Sequence, residues 1–260
     1  MKKKLQKFAS NYELLPAGNA PLHKNLKKFR RLHKHFFIFI IIFIVVLMTF
    51  IYQIMKPYLF IKPVSVSQLD SLELDNYDKL MIVAHPDDEY IFGGGHLLED
   101  NYFVVCLTNG NNSVRSSEFE AMLKATDDKG LILRYPDKIA NKRSNWIFHK
   151  DAIEKDLETL INYKKWDTIV THNVEGEYGH NQHILAHKLA EKAYNNTGSS
   201  SELFFFGTYY KKSLLPGDLP SLDKKTIEAK EELAGIYASQ CKVVNKLSHM
   251  LPYENFTKAE

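Results

Sequence analysis

The stretch KLMIVAHPDDE, residues 79–89, places a histidine, two aspartates and a glutamate directly after a short apolar run. An apolar run of this length, KLMIV, is typical of a buried β-strand. Ionisable side chains grouped at the end of such a strand are candidates for a metal site or a catalytic site. A turn is the alternative, in which Pro86 fixes the backbone and an aspartate caps the next helix.

After this stretch, predicted helices alternate with predicted strands. Strand patterns cover residues 79–85, 102–110, 131–135, 167–173 and 203–210, and helix patterns cover residues 94–100, 116–130, 150–165, 180–194 and 223–246. Ser116 or Ser117 is the expected cap of the second helix, and Gly130 is its expected stop. The alternation predicts an α/β fold with a mostly parallel sheet and helices on both faces.

The polar segments of the chain fall at the ends of three predicted strands. His85, residues 108–111 and residues 172–173 each follow a different strand. Ligand sites in such sheets lie beyond the carboxyl ends of the strands. We therefore expect the three segments to meet at one edge of the sheet.

Further histidines follow the strand that ends near residue 173. His180 and His183 are three residues apart, so they share one face of a helix that begins near Gly179. Taken alone, such a pair is more often a surface or core feature than a metal site. His187 lies one turn further along, where packing is the expected role.

Together these segments offer the ligands of a catalytic zinc site. Zinc in such sites takes three protein ligands from His, Asp or Glu and leaves a position for water. His85, Asp88 and His183 would supply that set, with His187 as the second candidate for the third ligand. Asp87 is then free to accept a proton from the water.

Four motifs of this chain resemble those of the LmbE-like, PIG-L-type de-N-acetylase family. They are AHPDDE (84–89), TNG (108–110), THNVEGEYGHNQH (171–183) and IYASQ (236–240). The resemblance extends over about residues 79–245. It implies a Rossmann-like fold, a zinc ion, and removal of the acetyl group from N-acetylglucosamine units of small glycosides or glycolipids.

The resemblance also implies roles for single residues. His85, Asp88 and His183 would be metal ligands and Asp87 the general base. His180 would stabilise the developing oxyanion or protonate the leaving amine. The predicted substrate contacts are Arg115, Asn109, Asn173 and Tyr178. For Arg115, a solvated arginine at a helix start is the alternative.

The N-terminal region is basic and then strongly apolar. Residues 1–35 contain ten of the 34 Lys and Arg residues but one of the 31 acids, and residues 36–55 carry no charge. Twenty helical residues reach about 30 Å, the thickness of a bilayer core. We predict a transmembrane anchor, with a cleaved signal peptide and a buried core helix as the alternatives.

The predicted organisation has four regions: a basic cytoplasmic tail (1–35), a transmembrane anchor (36–55), a tether (56–78) and a deacetylase domain (79–260). The basic tail favours a cytoplasmic amino terminus and an extracytoplasmic domain. Residues 36–260 hold 24 Lys and Arg against 30 acids, so we expect no nucleic-acid partner. Cys106 and Cys241 are predicted to be buried thiols rather than a disulfide.

The leading hypothesis is a membrane-anchored, zinc-dependent deacetylase of an N-acetylated amino sugar. One alternative is a metal-dependent hydrolase of another amide or an ester. A second is an inactive relative that binds a glycan, but such a protein has no need for a general base at Asp87. No His-Glu-x-x-His motif occurs, so a zincin peptidase is not expected.

Overall fold

The computed structural model describes residues 20–260, with side chains from residue 29 onwards except at positions 54, 57 and 58. Residues 1–19 of the predicted basic tail therefore lie outside the described residues. The chain divides after Leu59 into an N-terminal unit and a body, Phe60–Glu260. Each unit is described by itself.

The N-terminal unit contains one long helix, α1 (Ala20–Leu59). Its segment Phe29–Gln53 is long and apolar enough to cross a membrane, judged by length and composition, and a signal sequence meets the same criterion. The apolar side chains of this segment are exposed rather than packed in a core. The segment includes most of the predicted anchor, residues 36–55.

The body is built on a six-stranded sheet with the strand order β3-β2-β1-β6-β7-β8. All neighbouring strands are parallel except β7 and β8. The strands are β1 (Lys79–Val83), β2 (Tyr102–Thr108), β3 (Lys129–Tyr135), β6 (Thr168–Thr171), β7 (Glu202–Phe205) and β8 (Thr257–Lys258). A separate antiparallel hairpin pairs β4 (Lys138–Ile139) with β5 (Lys142–Arg143).

Helices cover both faces of the sheet, as the sequence predicts. Leu80 and Ile82 of β1 pack in one apolar cluster, whereas Met81 and Val83 pack in another, because successive strand residues face opposite sides. The helices of the body are α2 (Val66–Asp70), α3 (Asp88–Glu99), α4 (Ser113–Thr126), α5 (Lys150–Asn162), α6 (Gly176–Gly179), α7 (Asn181–Thr197), α8 (Lys224–Leu233) and α9 (Cys241–Leu247). Short 3-10 turns occupy Lys212–Leu214, Ala234–Gln240 and Ser248–Met250.

The strand order creates a crevice between β1 and β6. From β1 the chain builds outwards to β2 and β3, and it then returns to the other side of β1 to add β6 and β7. In open α/β sheets, ligands bind at such a switch point, beyond the carboxyl ends of the strands. The HPDDE residues follow β1 and His172 follows β6, so both reach this crevice.

Helix α3 begins at Asp88 rather than at residue 94 as predicted, so the acidic motif forms the first turn of a helix. The glycines at positions 93–95 lie inside this helix and pack closely against neighbouring side chains. A Cβ on Gly93 would lie 2.6 Å from the side chain of Met81.

The limits predicted for α4 are also wrong. The helix begins at Ser113 with Asn112 as its cap, and it ends at Thr126, followed by Asp127 at a φ of 61°. Gly130 is not the stop but lies in β3. A Cβ at Gly130 would be 2.8 Å from the carbonyl oxygen of Val104, so glycine is needed there for close packing.

Two predictions near the carboxyl terminus are wrong. The strand predicted for residues 203–210 ends at Phe205. The continuous helix predicted for residues 223–246 breaks in the 3-10 turn, where Tyr237 has non-helical angles (φ −86°, ψ 51°). The break turns the Tyr237 side chain into the body, where it is fully buried.

Most of the predicted tether, residues 56–78, packs on the body. Val64, Leu69 and Leu74 are buried in the apolar cluster on one face of the sheet, and the backbone N–H of Val64 donates to Asp156. These apolar residues lack a regular period, so the sequence does not reveal their burial. Residues 64–78 are therefore part of the body.

Both cysteines are free, but they differ in exposure. Cys106 lies in β2 and is buried as predicted. Cys241 is exposed, so the prediction of a second buried thiol is wrong. It begins α9 immediately after the break in the predicted helix.

Candidate active site

Three side chains from two distant segments converge in the crevice. His85 Nδ1 lies 3.1 Å from Asp88 Oδ2 and 3.3 Å from His183 Nε2. His183 Nε2 is also 3.3 Å from Asp88 Oδ1, and all three residues are buried. Donor atoms around a tetrahedral zinc ion with bonds near 2.0–2.1 Å are separated by about 3.3 Å. The spacing of these three donors fits a single ion of that kind.

Gln182 fixes the ring orientation of His85. The Gln182 amide nitrogen donates to the carbonyl oxygens of Pro136 and Asp137, at 3.3 and 3.1 Å. Its oxygen is therefore left to accept from His85 Nε2, at 2.8 Å. With the proton on Nε2, the lone pair of His85 lies on Nδ1, which faces Asp88 and His183.

Glu177 fixes the ring orientation of His183. Its Oε2 accepts from His183 Nδ1 at 2.5 Å and from His172 Nδ1 at 3.0 Å, and its Oε1 accepts from the backbone N–H of Asn173. Burial alone would raise the pKa of Glu177, but the charges and hydrogen bonds of the two histidines lower it to about 2. An ionised Glu177 keeps the His183 lone pair on Nε2.

The Asp88 carboxylate is held ionised by its neighbours. Burial by itself would raise its pKa, but the nearby rings of His183 and His85 hold the pKa well below its usual range. The backbone N–H of His85 also donates to Asp88 Oδ2 at 2.7 Å. A buried carboxylate kept in its charged form is suited to a cation.

Two further histidines lie near this group with their ring nitrogens engaged. His172 Nε2 is 3.5 Å from Asp88 Oδ2, but it accepts from the backbone N–H of Ala84 at 2.9 Å. His187 Nδ1 donates to the carbonyl oxygen of His172, and its ring packs against Phe205. Asp88, His172 and His183 are also close enough to hold a metal ion, but the His172 nitrogen that faces Asp88 is taken up by a backbone N–H.

Asp87 adopts a backbone conformation that is rare for an L residue. Its φ is 118°, and it occupies the cap position of α3 without a side-chain capping bond, contrary to the turn alternative. Residues held in such conformations cost of order 1–3 kcal/mol and cluster at functional sites. The strain turns the Asp87 carboxylate towards Arg115, whose Nη2 donates to Asp87 Oδ1 at 2.9 Å.

Opposing effects set the pKa of Asp87. Burial raises its pKa most, and the neighbouring Asp88 raises it further. Arg115 and His85 lower it, and the resulting pKa is about 7. Asp87 is thus far more basic than an ordinary aspartate.

A second buried carboxylate supports the Asp87 backbone. Glu89 Oε2 accepts from the backbone N–H of Asp87 at 3.1 Å, and its Oε1 accepts from the hydroxyl of Tyr237. Burial raises the pKa of Glu89 to about 8 despite these hydrogen bonds. Tyr237 belongs to the IYASQ segment, so this segment is tied directly to the HPDDE loop.

A cavity of about 180 Å³ opens beside the histidine and aspartate group. His180, the N-cap of α7, lines it, and its buried Nδ1 has no hydrogen-bond partner among the described residues. Its ring centre lies 4.3 Å from that of His183 and 4.8 Å from that of His85. Burial is the largest cause that lowers the pKa of His180, to about 2, so the ring is neutral.

Comparison with known proteins places the chain. The family model described as GlcNAc-PI de-N-acetylase, PIG-L, matches residues 80–194. An uncharacterized protein of Acanthamoeba polyphaga mimivirus is 32% identical over 186 residues, which cover 65% of this chain and 74% of that protein. The chain belongs to the PIG-L family. It is therefore a member of a deacetylase family, as the sequence motifs predict.

Two solved deacetylases share the fold of this PIG-L chain. The pseudoaglycone deacetylase Dbv21, which acts on an antimicrobial reagent, is 17% identical with a TM-score of 0.52, over 68% of this chain and 87% of its own. The N,N'-diacetylchitobiose deacetylase from Pyrococcus horikoshii is 17% identical with a TM-score of 0.53, over 75% and 90%. At this identity the likeness concerns the fold, the α/β sheet described above.

Three of the four predicted substrate contacts of the PIG-L chain lie at the cavity. Asn109, Arg115 and Tyr178 line it. Arg115 is buried, so the alternative of a solvated arginine is wrong. Its guanidinium contacts Asp87 and the carbonyl oxygen of Pro86, which makes it a partner of the predicted base.

The fourth predicted contact, Asn173, forms hydrogen bonds with backbone groups of the protein. Its amide nitrogen donates to the carbonyl oxygens of Phe206 and Gly207, and its oxygen accepts from the backbone N–H groups of Glu175 and Glu177. With both amide atoms engaged, Asn173 shapes the loop that presents Glu177. A substrate contact at Asn173 stays a prediction.

Several residues around the cavity were not predicted. Gln240 and Val243 come from the region that was expected to be one continuous helix. Gln240 closes the IYASQ motif, so that motif was the available signal. The other lining residues outside the predictions are Asn112, Asp137, Lys138 and Arg143.

We expect Tyr237→Phe to lower kcat about tenfold while KM and metal content stay unchanged. The change removes the hydroxyl that holds Glu89, and through it the backbone of Asp87. The lost hydrogen bond is worth about 0.5–1.5 kcal/mol. Steady-state kinetics with metal analysis would measure the effect.

Tyr90→Phe is the matched control for that change. The Tyr90 hydroxyl is also buried, but it has no hydrogen-bond partner in the part of the chain that the structure describes, and the Tyr90 ring centre is 6.2 Å from that of Tyr237. It should leave kcat near the wild-type value. Equal kinetics for the two variants would show that Tyr237 does not position Asp87.

Proposed function

We propose that the chain is a zinc-dependent hydrolase that removes the acetyl group from an N-acetylglucosamine-type amino sugar in a glycoside, glycolipid or envelope glycan. Family membership supports deacetylation. The observation that carries the metal is the spacing of 3.1–3.3 Å among His85 Nδ1, Asp88 and His183 Nε2. Two imidazole nitrogens and one carboxylate oxygen are ligands that zinc accepts, with a position left for water.

In this proposal, Asp88 is a metal ligand and Asp87 is the general base. A zinc ion held by His85, Asp88 and His183 would polarise the amide carbonyl and acidify a water molecule. Asp87 accepts the proton of the attacking water, because its carboxylate lines the cavity and lies outside the ligand group. Arg115 holds that carboxylate in one orientation through its 2.9 Å bond.

His180 would stabilise the oxyanion or protonate the departing amine. Its ring is neutral and lines the cavity, and its Nδ1 has no partner within the described residues. A neutral imidazole N–H can donate to the oxyanion that forms on the acetyl carbonyl. His180 or protonated Asp87 then supplies the proton that the departing amine requires.

The polar lining of the cavity supports a sugar substrate. Asn109, Tyr178 and Arg143 offer amide, hydroxyl and guanidinium groups that hydrogen-bond sugar hydroxyls. The family description names GlcNAc-PI, and one structural neighbour is a deacetylase of N,N'-diacetylchitobiose. Both names describe acetylated amino sugars, which supports the same substrate class here.

The test is acetate release by the full-length, zinc-loaded protein from a panel of soluble and lipid-linked N-acetylglucosaminides. We expect acetate and free amine in equal amounts from at least one member. Release from simple esters or other amides alone would favour the hydrolase alternative. Binding of a glycoside without any acetate would favour the inactive glycan-binding alternative.

We also propose that α1 anchors the protein, with its amino terminus in the cytoplasm and the body outside. The basic residues before Phe36 support this orientation. Protease added to intact spheroplasts should digest the body and leave the first 35 residues protected. A protected body with a digested amino terminus would reverse the orientation, and release of the processed body into the medium would identify a signal peptide.

A further inference from the structure

Two apolar side chains that follow the β4–β5 hairpin in the chain are strongly exposed. Ile147 is 62% exposed and Phe148 is 88% exposed, the highest value for a large apolar side chain among the described residues. We call these two residues the apolar tip. Single apolar residues on a surface are common, but an adjacent pair that stands this far from the body suggests a contact site.

The apolar tip rests on a rigid base. Trp146, the residue before it, is fully buried, and its indole N–H donates to the carbonyl oxygen of Pro136 at 2.9 Å. Its φ of 54° is unusual for a residue other than glycine. The N–H of His149 donates back to the Trp146 carbonyl oxygen and closes the turn. The fold therefore holds the tip outwards in a strained turn.

The segment that carries the tip is rich in basic residues, although the body as a whole is acidic. Residues 134–150 contain five Lys or Arg and one acid, Asp137, whereas residues 36–260 contain 24 Lys and Arg and 30 acids. The five basic residues, all exposed, are Arg134, Lys138, Lys142, Arg143 and Lys150. Exposed basic side chains beside an apolar tip complement an anionic lipid surface.

The same segment borders the cavity. Asp137, Lys138 and Arg143 line it, and the carbonyl oxygen of Pro136 accepts from both Trp146 and Gln182. Gln182 in turn holds the ring of His85, as described above. The base of the tip is thus joined to the candidate metal site by three hydrogen bonds in series, from Trp146 through Pro136 and Gln182 to His85.

We propose that the apolar tip inserts into the headgroup region of an anionic bilayer and presents the cavity to molecules held there. An aliphatic and an aromatic side chain in a segment with five exposed Lys and Arg residues match a lipid surface better than a sugar polymer, which would favour aromatic stacking alone. The proposed anchoring by α1 supports this inference, because a segment long and apolar enough to cross a membrane would keep a bilayer within reach. The inference rests on the proposed anchoring but not on the proposed chemistry.

The test labels the tip with an environment-sensitive fluorophore. The full-length Cys241→Ser protein, in which the remaining Cys106 is buried, receives Phe148→Cys and is reconstituted into phosphatidylcholine vesicles with or without phosphatidylglycerol. Lipids that carry a quencher at the headgroup–acyl boundary report insertion. The matched control is a label at Lys224→Cys, because the Lys224 side chain is 90% exposed.

We expect the lipid-borne quencher to reduce emission at position 148 and not at position 224. The effect should increase with phosphatidylglycerol and decrease with salt, because screening weakens lysine attraction to the surface. Equal emission at both positions would overturn the proposal. A blue shift without lipid quenching would also overturn it, and dependence on protein concentration would then identify contact between copies of the chain.

A second arm separates this inference from the proposed function. The double change Ile147→Ser and Phe148→Ser should lower turnover of a vesicle-embedded N-acetylglucosaminide about tenfold, the scale for one buried apolar side chain. Turnover of a soluble N-acetylglucosaminide should not change. Quenching at position 148 without any acetate release would support the lipid contact and reject the chemistry. Equal losses on both substrates would reject a role in membrane contact.

Discussion

The Asp87→Asn protein is expected to lose activity by at least about 100-fold, the usual scale for removing a general base, while it keeps its metal and its fold. The amide has nearly the same size as the carboxylate, but it cannot accept a proton near neutral pH. Because Asp87 lies outside the group formed by His85, Asp88 and His183, metal content should not fall. Acetate release per bound metal ion measures the effect.

Asp137→Asn is the matched control for Asp87→Asn. Asp137 is also a carboxylate that lines the cavity, and its Oδ1 lies 3.6 Å from His85 Nε2. It pairs with Arg143 rather than with the strained loop, so most of the activity should remain. A metal-loaded Asp87→Asn protein with near-normal kcat would assign the base elsewhere.

His183→Ala is expected to remove both metal and activity. Two ligands would remain, and the affinity for zinc should fall by more than the about 10–100-fold that follows loss of a supporting residue. Glu177→Gln should produce that smaller loss, because it weakens the bond to His183 Nδ1 and leaves the ligand in place. Metal analysis after dialysis against a graded chelator series would rank the variants.

His187→Ala provides the comparison for His183→Ala. The two histidines are one turn apart on α7, but the His187 ring packs against Phe205 and bonds to the His172 carbonyl oxygen. It should retain its metal. If His187→Ala loses the metal and His183→Ala keeps it, the ligand assignment is wrong.

The sequence predicts the framework of the site well, because the strongest signals are local. An apolar strand followed by ligand-type residues identifies β1 and its loop, and the later histidines identify α7. The residues predicted as ligands, His85, Asp88 and His183, lie within 3.3 Å of one another. Their role as ligands stays a prediction until metal binding is measured.

The supporting contacts could not be predicted, because they join residues that are far apart in the chain. Glu89 and Tyr237 are separated by 148 positions, and His85 and Gln182 by 97. No periodic pattern encodes such pairs. The Asn173 side chain likewise forms four hydrogen bonds that the sequence does not reveal, two within its own loop and two with the residues that follow β7.

Helix limits failed where close packing overrides local preference. Gly130 suggests a helix stop by its conformational freedom, but it lies in β3, where a Cβ would collide with the carbonyl oxygen of Val104. Tyr237 breaks a segment with good helical periodicity, because its side chain reaches into the body towards Glu89. These contacts depend on the assembled sheet and are invisible in a local window.

The most direct measurement of the central claim is a zinc titration of the metal-stripped, full-length protein with acetate release as the readout. We predict no release before zinc is added, a rate that rises in proportion to bound zinc up to one ion per chain, and no such rise in His183→Ala. Acetate release that persists in the metal-free protein, or full activity of His183→Ala at the same zinc concentrations, would contradict the account.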